Sequence, residues 1–142
     1  MGDGDLLSLF PNHYWEKYDI EKKEDAIKQD TLLNPPSYTN KWVVTNPPYL
    51  AKNKAKDKNI FNKYNTDDLY KAFLLSILDS EGGILIIPTN FITDERTGIV
   101  REKFLSQFAI LEMNIFTRPV FETTTYSVCS FAFKRKPNKK EV

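Results

Sequence analysis

The chain of 142 residues is poor in the residues that many sites depend on. It has one cysteine, Cys129, so an intrachain disulfide and a Cys-rich zinc site are both excluded. It has one histidine, His13, in a segment with no partner at metal-ligand or triad spacing. It has little charge of one sign: 20 basic and 19 acidic residues leave a net charge of +1. A chain that grips nucleic acid along its whole surface is usually far more basic, so any basic footprint must be local. No apolar run approaches the ~18 residues of a membrane span, and no basic-then-apolar leader is visible. These absences point to a soluble, intracellular protein, and a cytoplasmic location is expected.

Apolar and aromatic residues are plentiful. The chain is 41% hydrophobic, with ten Phe, seven Tyr and two Trp, which is enough to fill the core of one domain. Gly2-Asp3-Gly4-Asp5-Leu6 reads as a Gly-rich turn entering a short helix. Trp15–Glu21 reads as a short strand that ends on acidic residues. Asp30-Thr31 looks like a turn or helix cap before the Pro-rich break at Asn34-Pro35-Pro36. The β-branched and aromatic run 41–45 reads as a strand, stopped by Asn46-Pro47-Pro48-Tyr49.

The lysine-rich stretch 51–65 reads as a loop. Thr66 is the expected N-cap of a helix with Leu69, Tyr70, Phe73, Leu74, Ile77 and Leu78 on one face, ended by Gly82-Gly83. Ile84–Ile87 has the continuous apolar character of a strand buried on both faces. A helix is expected over 98–108 with Ile99, Phe104, Leu105 and Phe108 inward. Strands are expected over 110–115 and 126–133, and a frayed basic tail from Lys134. This order predicts an α/β doubly wound sheet, with ligands beyond the carboxyl ends of its strands. Asn46, Asp19, Asp30 and the turn after Ile87 would then share one rim.

Asn46-Pro47-Pro48-Tyr49 carries the chemistry. Neither proline has an N–H, so the strand ladder cannot continue, and each proline holds its predecessor extended. The Asn46 side-chain oxygen and the Pro47 carbonyl can converge as acceptors beside the flat face of Tyr49. That set suits an exocyclic amine on a planar ring. Two acceptors can hold its two hydrogens, pull the nitrogen towards tetrahedral geometry and expose its lone pair for in-line attack on an activated methyl group. An Asn/Asp/Ser-Pro-Pro-aromatic tetrapeptide is expected in roughly one chain of this size in a few hundred. The bland reading is a rigid turn, and Asn34-Pro35-Pro36-Ser37 shows that this chain makes such turns.

The tetrapeptide resembles motif IV of the N6-adenine DNA methyltransferases of restriction-modification systems. Gly2-Asp3-Gly4 is similar to the Gly-x-Gly loop of their motif I, which would assign Gly2 and Gly4 to the methionine part of S-adenosyl-L-methionine. Tyr18-Asp19-Ile20-Glu21 resembles motif II, which implies Asp19 on the cofactor ribose. Asp30-Thr31-Leu32-Leu33 resembles motif III, which implies Asp30 on the cofactor's adenine amine. Val120-Phe121 and the following strand resemble motif VIII, which implies Phe121 stacking on a flipped base opposite Tyr49. Catalysis is thereby assigned to Asn46, Pro47, Pro48 and Tyr49, with Asn46 also at the cofactor, and no metal is implied. The motif order matches the γ arrangement.

The resemblance further implies an incomplete, Rossmann-like class I methyltransferase sheet. Its catalytic domain would be partial and span 1–134, with a basic tail over 135–142. The first strand, a cofactor lid and a target-recognition region are expected from a separate chain or domain, and the chain from a longer enzyme. DNA with a flipped adenine is the expected partner. Lys52, Lys54, Lys56 and Lys58 are candidates for phosphate contact, since 41–64 carries six positive and one negative side chain. Protein-glutamine and RNA methyltransferases of the same fold use the same tetrapeptide and remain alternatives. So does a non-catalytic remnant that binds nucleic acid or a partner chain. Cys129, between Val128 and Ser130 in a strand, reads as core rather than as a cytosine-methylating nucleophile.

Overall fold

The computed structural model describes residues 13–19, 26–118 and 127–138. Two sheets form. The smaller pairs β1 (Tyr18–Asp19) with β2 (Ile27–Lys28), in parallel. The larger has the order β3-β4-β6-β5, built from β3 (Trp42–Thr45), β4 (Gly82–Pro88), β5 (Phe108–Ile115) and β6 (Val128–Arg135). β3 and β4 are parallel, whereas β6 runs antiparallel to both β4 and β5. The sheet is therefore mixed. β5 carries a register shift between Ile110 and Glu112, so one extra residue, Leu111, bulges there.

The core lies on one face of this sheet. Leu85 and Ile87 of β4 meet Phe131 and Phe133 of β6, and helices α2 (Leu69–Ser76) and α4 (Gly98–Gln107) cover them. Phe91, Phe104, Phe108, Phe131 and Phe133 form a ring cluster with centroids 4.8–5.9 Å apart. Edge-to-face and tilted contacts of this kind add to the burial itself. Cys129 is fully buried among them, and burial pushes its thiol up to about 11. That agrees with a core residue and not with a nucleophile.

Several sequence expectations need correction. Ile84–Ile87 is buried on one face only: Leu85 and Ile87 are enclosed, but Ile84 is 36% exposed and Ile86 partly so. Helices α2 and α4 pack on the enclosed face, while Trp42, Ile84 and Leu111 stay exposed on the opposite one, so the doubly wound arrangement is not completed among the described residues. Gly82-Gly83 does not end the preceding helix. That helix stops at Ser76, and the glycines open β4 at φ of 145° and 155°. Ile99 points out at 71% exposure, and Val100 takes the inward position instead.

The stretch 51–65 is not a loop. It contains a 3₁₀ turn at Lys52–Lys54 and the helix α1 (Asn59–Tyr64), anchored by buried Phe61. The short helix α3 (Asn90–Thr93) follows β4. β2 was not legible as a strand, and β1 is shorter than the expected 15–21, although Ile20 and Glu21 lie outside the described residues. Lys134 and Arg135 are not frayed. They close β6, and Arg135 donates to the Ser80 and Leu78 carbonyls and to Gln107 Oε1 (3.1 Å) while lying over the Phe108 ring.

Candidate active site

β3 delivers Asn46 to the site. The ladder runs from Trp42↔Gly82 to Thr45↔Leu85 and ends there, as the two prolines require. Pro47 is buried, while Asn46 and Pro48 are exposed and Tyr49 is half-buried. The Tyr49 hydroxyl lies against Asn46 Oδ1 and against the Ile86 carbonyl at 2.8 Å. Its ring meets the Tyr70 ring edge-on at 6.3 Å and 89°. Tyr70 is itself fully buried and donates its hydroxyl to Asn90 Oδ1. Burial pushes both phenols above their ordinary range, so both stay protonated and act as donors.

The segment after the tetrapeptide is stitched to the start of α2. The N-cap of that helix is Asp68 and not the expected Thr66. Its Oδ1 accepts from Tyr70 N at 3.2 Å and also from Leu50 N at 3.2 Å. Leu69 N donates to the Leu50 carbonyl at 3.1 Å, and Lys52 N to the Asp67 carbonyl at 2.8 Å. Ala51 and Asp68 form an isolated antiparallel bridge. One carboxylate therefore caps a helix and fixes the residue that follows Tyr49.

Asp19 closes β1, where its carbonyl accepts from Gln29 N at 2.8 Å. Asp30 follows β2. Its Oδ1 accepts from Leu32 N (3.0 Å) and Leu33 N (3.1 Å), and its carbonyl accepts from Asn34 N (2.8 Å). Asp30 thus caps its own turn, as its position before Thr31 suggested. α1 supports that turn: Tyr64 donates to the Leu32 carbonyl and Lys63 to the Leu33 carbonyl, both at 2.6 Å. Asp19, Asp30 and Asn46 all line one open cleft of about 1630 Å³ between the two sheets, with Tyr18 and Trp42 among its walls. Lys41 and Glu16 form an ion pair of 2.9 Å beside it.

The lysines divide. Lys52 donates to Asn62 Oδ1 at 3.1 Å, and Lys63 and Lys41 are engaged as described. Lys54, Lys56 and Lys58 are exposed. Gly2, Gly4 and Phe121 lie outside the described residues. Sequence reasoning missed Asp68, Tyr70, Asn90 and the Ile86 carbonyl. Asp68 carried a signal, an Asp placed directly before an apolar periodic run. Tyr70 and the Ile86 carbonyl are brought to Tyr49, and Asn90 to Tyr70, by tertiary packing alone.

The mixed α/β sheet, with a polar tetrapeptide breaking off a parallel strand at its carboxyl end, fits a methyltransferase-like fold. The family model of the Eco57I restriction-modification methylase matches residues 5–121. The chain belongs to that family, and so to the restriction-modification methyltransferases. No curated protein matches it. Among the described residues, no helix is long and apolar enough to cross a membrane.

Proposed function

We propose that this chain is the catalytic part of a methyltransferase that methylates the exocyclic N6 amine of adenine in DNA, with S-adenosyl-L-methionine as cofactor and the γ order of motifs. The observation that carries this reading is the placement of Asn46, Pro47 and Pro48 on the wall of the same cleft as Asp19 and Asp30, with Tyr49 directly behind them against Asn46. The donor set fits the cofactor. Carboxylates accept from ribose hydroxyls and from an adenine amine, and aromatic side chains flank them. The bound cofactor supplies the activated methyl group. Asn46 and the Pro47 carbonyl hold the amine, and Tyr49 packs beside it.

The cleft exceeds the ~300–1,000 Å³ of an ordinary small-molecule site. The outer edge of β3 has no strand partner among the described residues. Both facts support a further strand between β1 and β3, supplied by polypeptide outside the described residues or by a separate chain or domain. Target recognition would come from the same source. Exposed Lys54, Lys56 and Lys58 would meet phosphates of the DNA partner, with Lys52 at the edge of that patch. Gly2 and Gly4 at the cofactor and Phe121 against the flipped base complete the proposal.

The test is transfer of a labelled methyl group to DNA, RNA and a glutamine-bearing protein, with the chain alone and with Asn46→Ala. Transfer to adenine in DNA, abolished in Asn46→Ala, is the expected result. Equal rates for the two proteins refute the role of Asn46. Transfer only to RNA or to protein changes the substrate. Calorimetry with the cofactor checks its binding independently, and no heat at millimolar protein rejects cofactor use by this chain.

A further inference from the structure

Tyr49 has one hydroxyl proton, and the Ile86 carbonyl and Asn46 Oδ1 both lie against its oxygen. One proton cannot serve both well, and an oxygen–oxygen approach without a hydrogen is repulsive. The Ile86 carbonyl can only accept. A side-chain amide can present either end, and its sense follows from its hydrogen-bond partners. The geometry points to a relay in which Asn46 Nδ2 donates to Tyr49 Oη, and Tyr49 Oη donates to the Ile86 carbonyl. Asn46 Oδ1 is then turned to the side away from Tyr49.

Tyr49 is on this account a positioning residue as well as an aromatic plate. Its hydroxyl fixes which end of the Asn46 amide faces a ligand. A main-chain carbonyl of β4, which cannot rotate, anchors the relay. Burial keeps the phenol neutral, so it keeps its proton to donate. The edge-on Tyr70 ring restricts the swing of the Tyr49 ring. The relay rests on the reading of Asn46 as an amine acceptor, and it narrows the substrate class. A group with two N–H donors is accepted. A carbonyl at the same place faces two acceptors and is rejected, because a polar group buried against its own kind loses its hydrogen bonds to water. Adenine is favoured over hypoxanthine for this reason.

The relay is read first by NMR on the full, isotopically labelled chain, without any ligand. Strong cross-relaxation is expected between the Asn46 amide protons and the ring protons of Tyr49 beside its hydroxyl. Tyr49→Phe keeps the ring and removes the relay, and should move the Asn46 side-chain amide resonances. Absent cross-relaxation, or unmoved Asn46 resonances in Tyr49→Phe, overturns the relay. The second arm titrates short single-stranded oligonucleotides that carry adenine or hypoxanthine at one position, by fluorescence anisotropy. The wild type should prefer adenine at least tenfold, and Tyr49→Phe should lose most of that preference. A relay seen by NMR with equal affinity for both oligonucleotides refutes the amine-accepting site and leaves the relay standing.

Discussion

The glycines that open β4 face neighbouring strands at close range. A Cβ on Gly83 would lie 1.8 Å from the Val43 carbonyl oxygen, and one on Gly82 would lie 2.3 Å from that of Phe133. Both also hold positive φ. These are backbone atoms of the two flanking strands, so no side chain can move aside. Gly83→Ala should cost about 3 kcal/mol or more, read as a fall in the urea midpoint. Gly98 makes the opposite case. It opens α4 at φ −51° with nothing within 4 Å of its Cβ position. Gly98→Ala should stabilise by about 0.4–1 kcal/mol, chiefly by restricting the unfolded chain. Ser80 is fully buried and its hydroxyl has no hydrogen-bond partner among the described residues. Ser80→Ala removes that uncompensated group, so the same urea titration should show unchanged or raised stability, by up to about 1 kcal/mol.

At the scale of elements, Asp68 joins α2 to the loop that follows Asn46-Pro47-Pro48-Tyr49. Burial raises its carboxyl above the ordinary value of 3.8, against the opposing donation from Tyr70 N and Leu50 N. A raised pKa in the folded chain means that the folded state holds the proton more tightly. The stability that this group contributes is therefore greatest at low pH, and it falls as pH rises from 3.8 through the raised value. Asp68→Asn keeps an oxygen for both N–H groups and removes the ionisation. Its stability relative to wild type should grow with pH over that interval and then level off, as read by urea titrations between acidic and neutral pH. Asp68→Ala loses the cap and should cost about 1 kcal/mol at neutral pH.

The same elements show what could be read in advance. The 41–45 strand and its stop at Pro47 were legible because two prolines are decisive locally. The apolar face of α2 was legible from its period, and Cys129 from its strand neighbours. The cap was misplaced because Thr66 and Asp68 are both good caps, and the choice falls to whichever side chain also meets Leu50 N. α1 was hidden by its lysines. It is held by one buried ring, Phe61, and by its bonds to the 32–33 carbonyls. The Tyr49–Ile86 contact spans 37 positions and has no local signature. The antiparallel place of β6 between β4 and β5 is likewise a matter of topology, not of composition.

At the scale of the whole molecule, the two sheets differ in how they are held. β4 lies between β3 and β6, and its inward residues Leu85 and Ile87 are fully buried in the aromatic core. Among the described residues β1 and β2 make only two residue pairs, and Ile27 of β2 is 52% exposed. On the open face of the larger sheet, Trp42 and Leu111 are 55% and 63% exposed. With little apolar burial of its own, the small sheet should open without unfolding the large one. Hydrogen exchange should find the ladder amides of Tyr18–Asp19 and Ile27–Lys28 exchanging at least ~100-fold faster than those of Leu85, Ile87 and Phe131. The cleft couples the two, since Asp19 and Asp30 form one wall and Asn46 part of another. A ligand that bridges them stabilises the closed small sheet by mass action. Adding S-adenosylhomocysteine at saturating concentration should slow exchange most at 18–19, 27–28 and 30–33, where the unliganded chain opens most readily. Protection that appears instead on α3 and α4, none of whose residues lines the cleft, would move the bound ligand out of it.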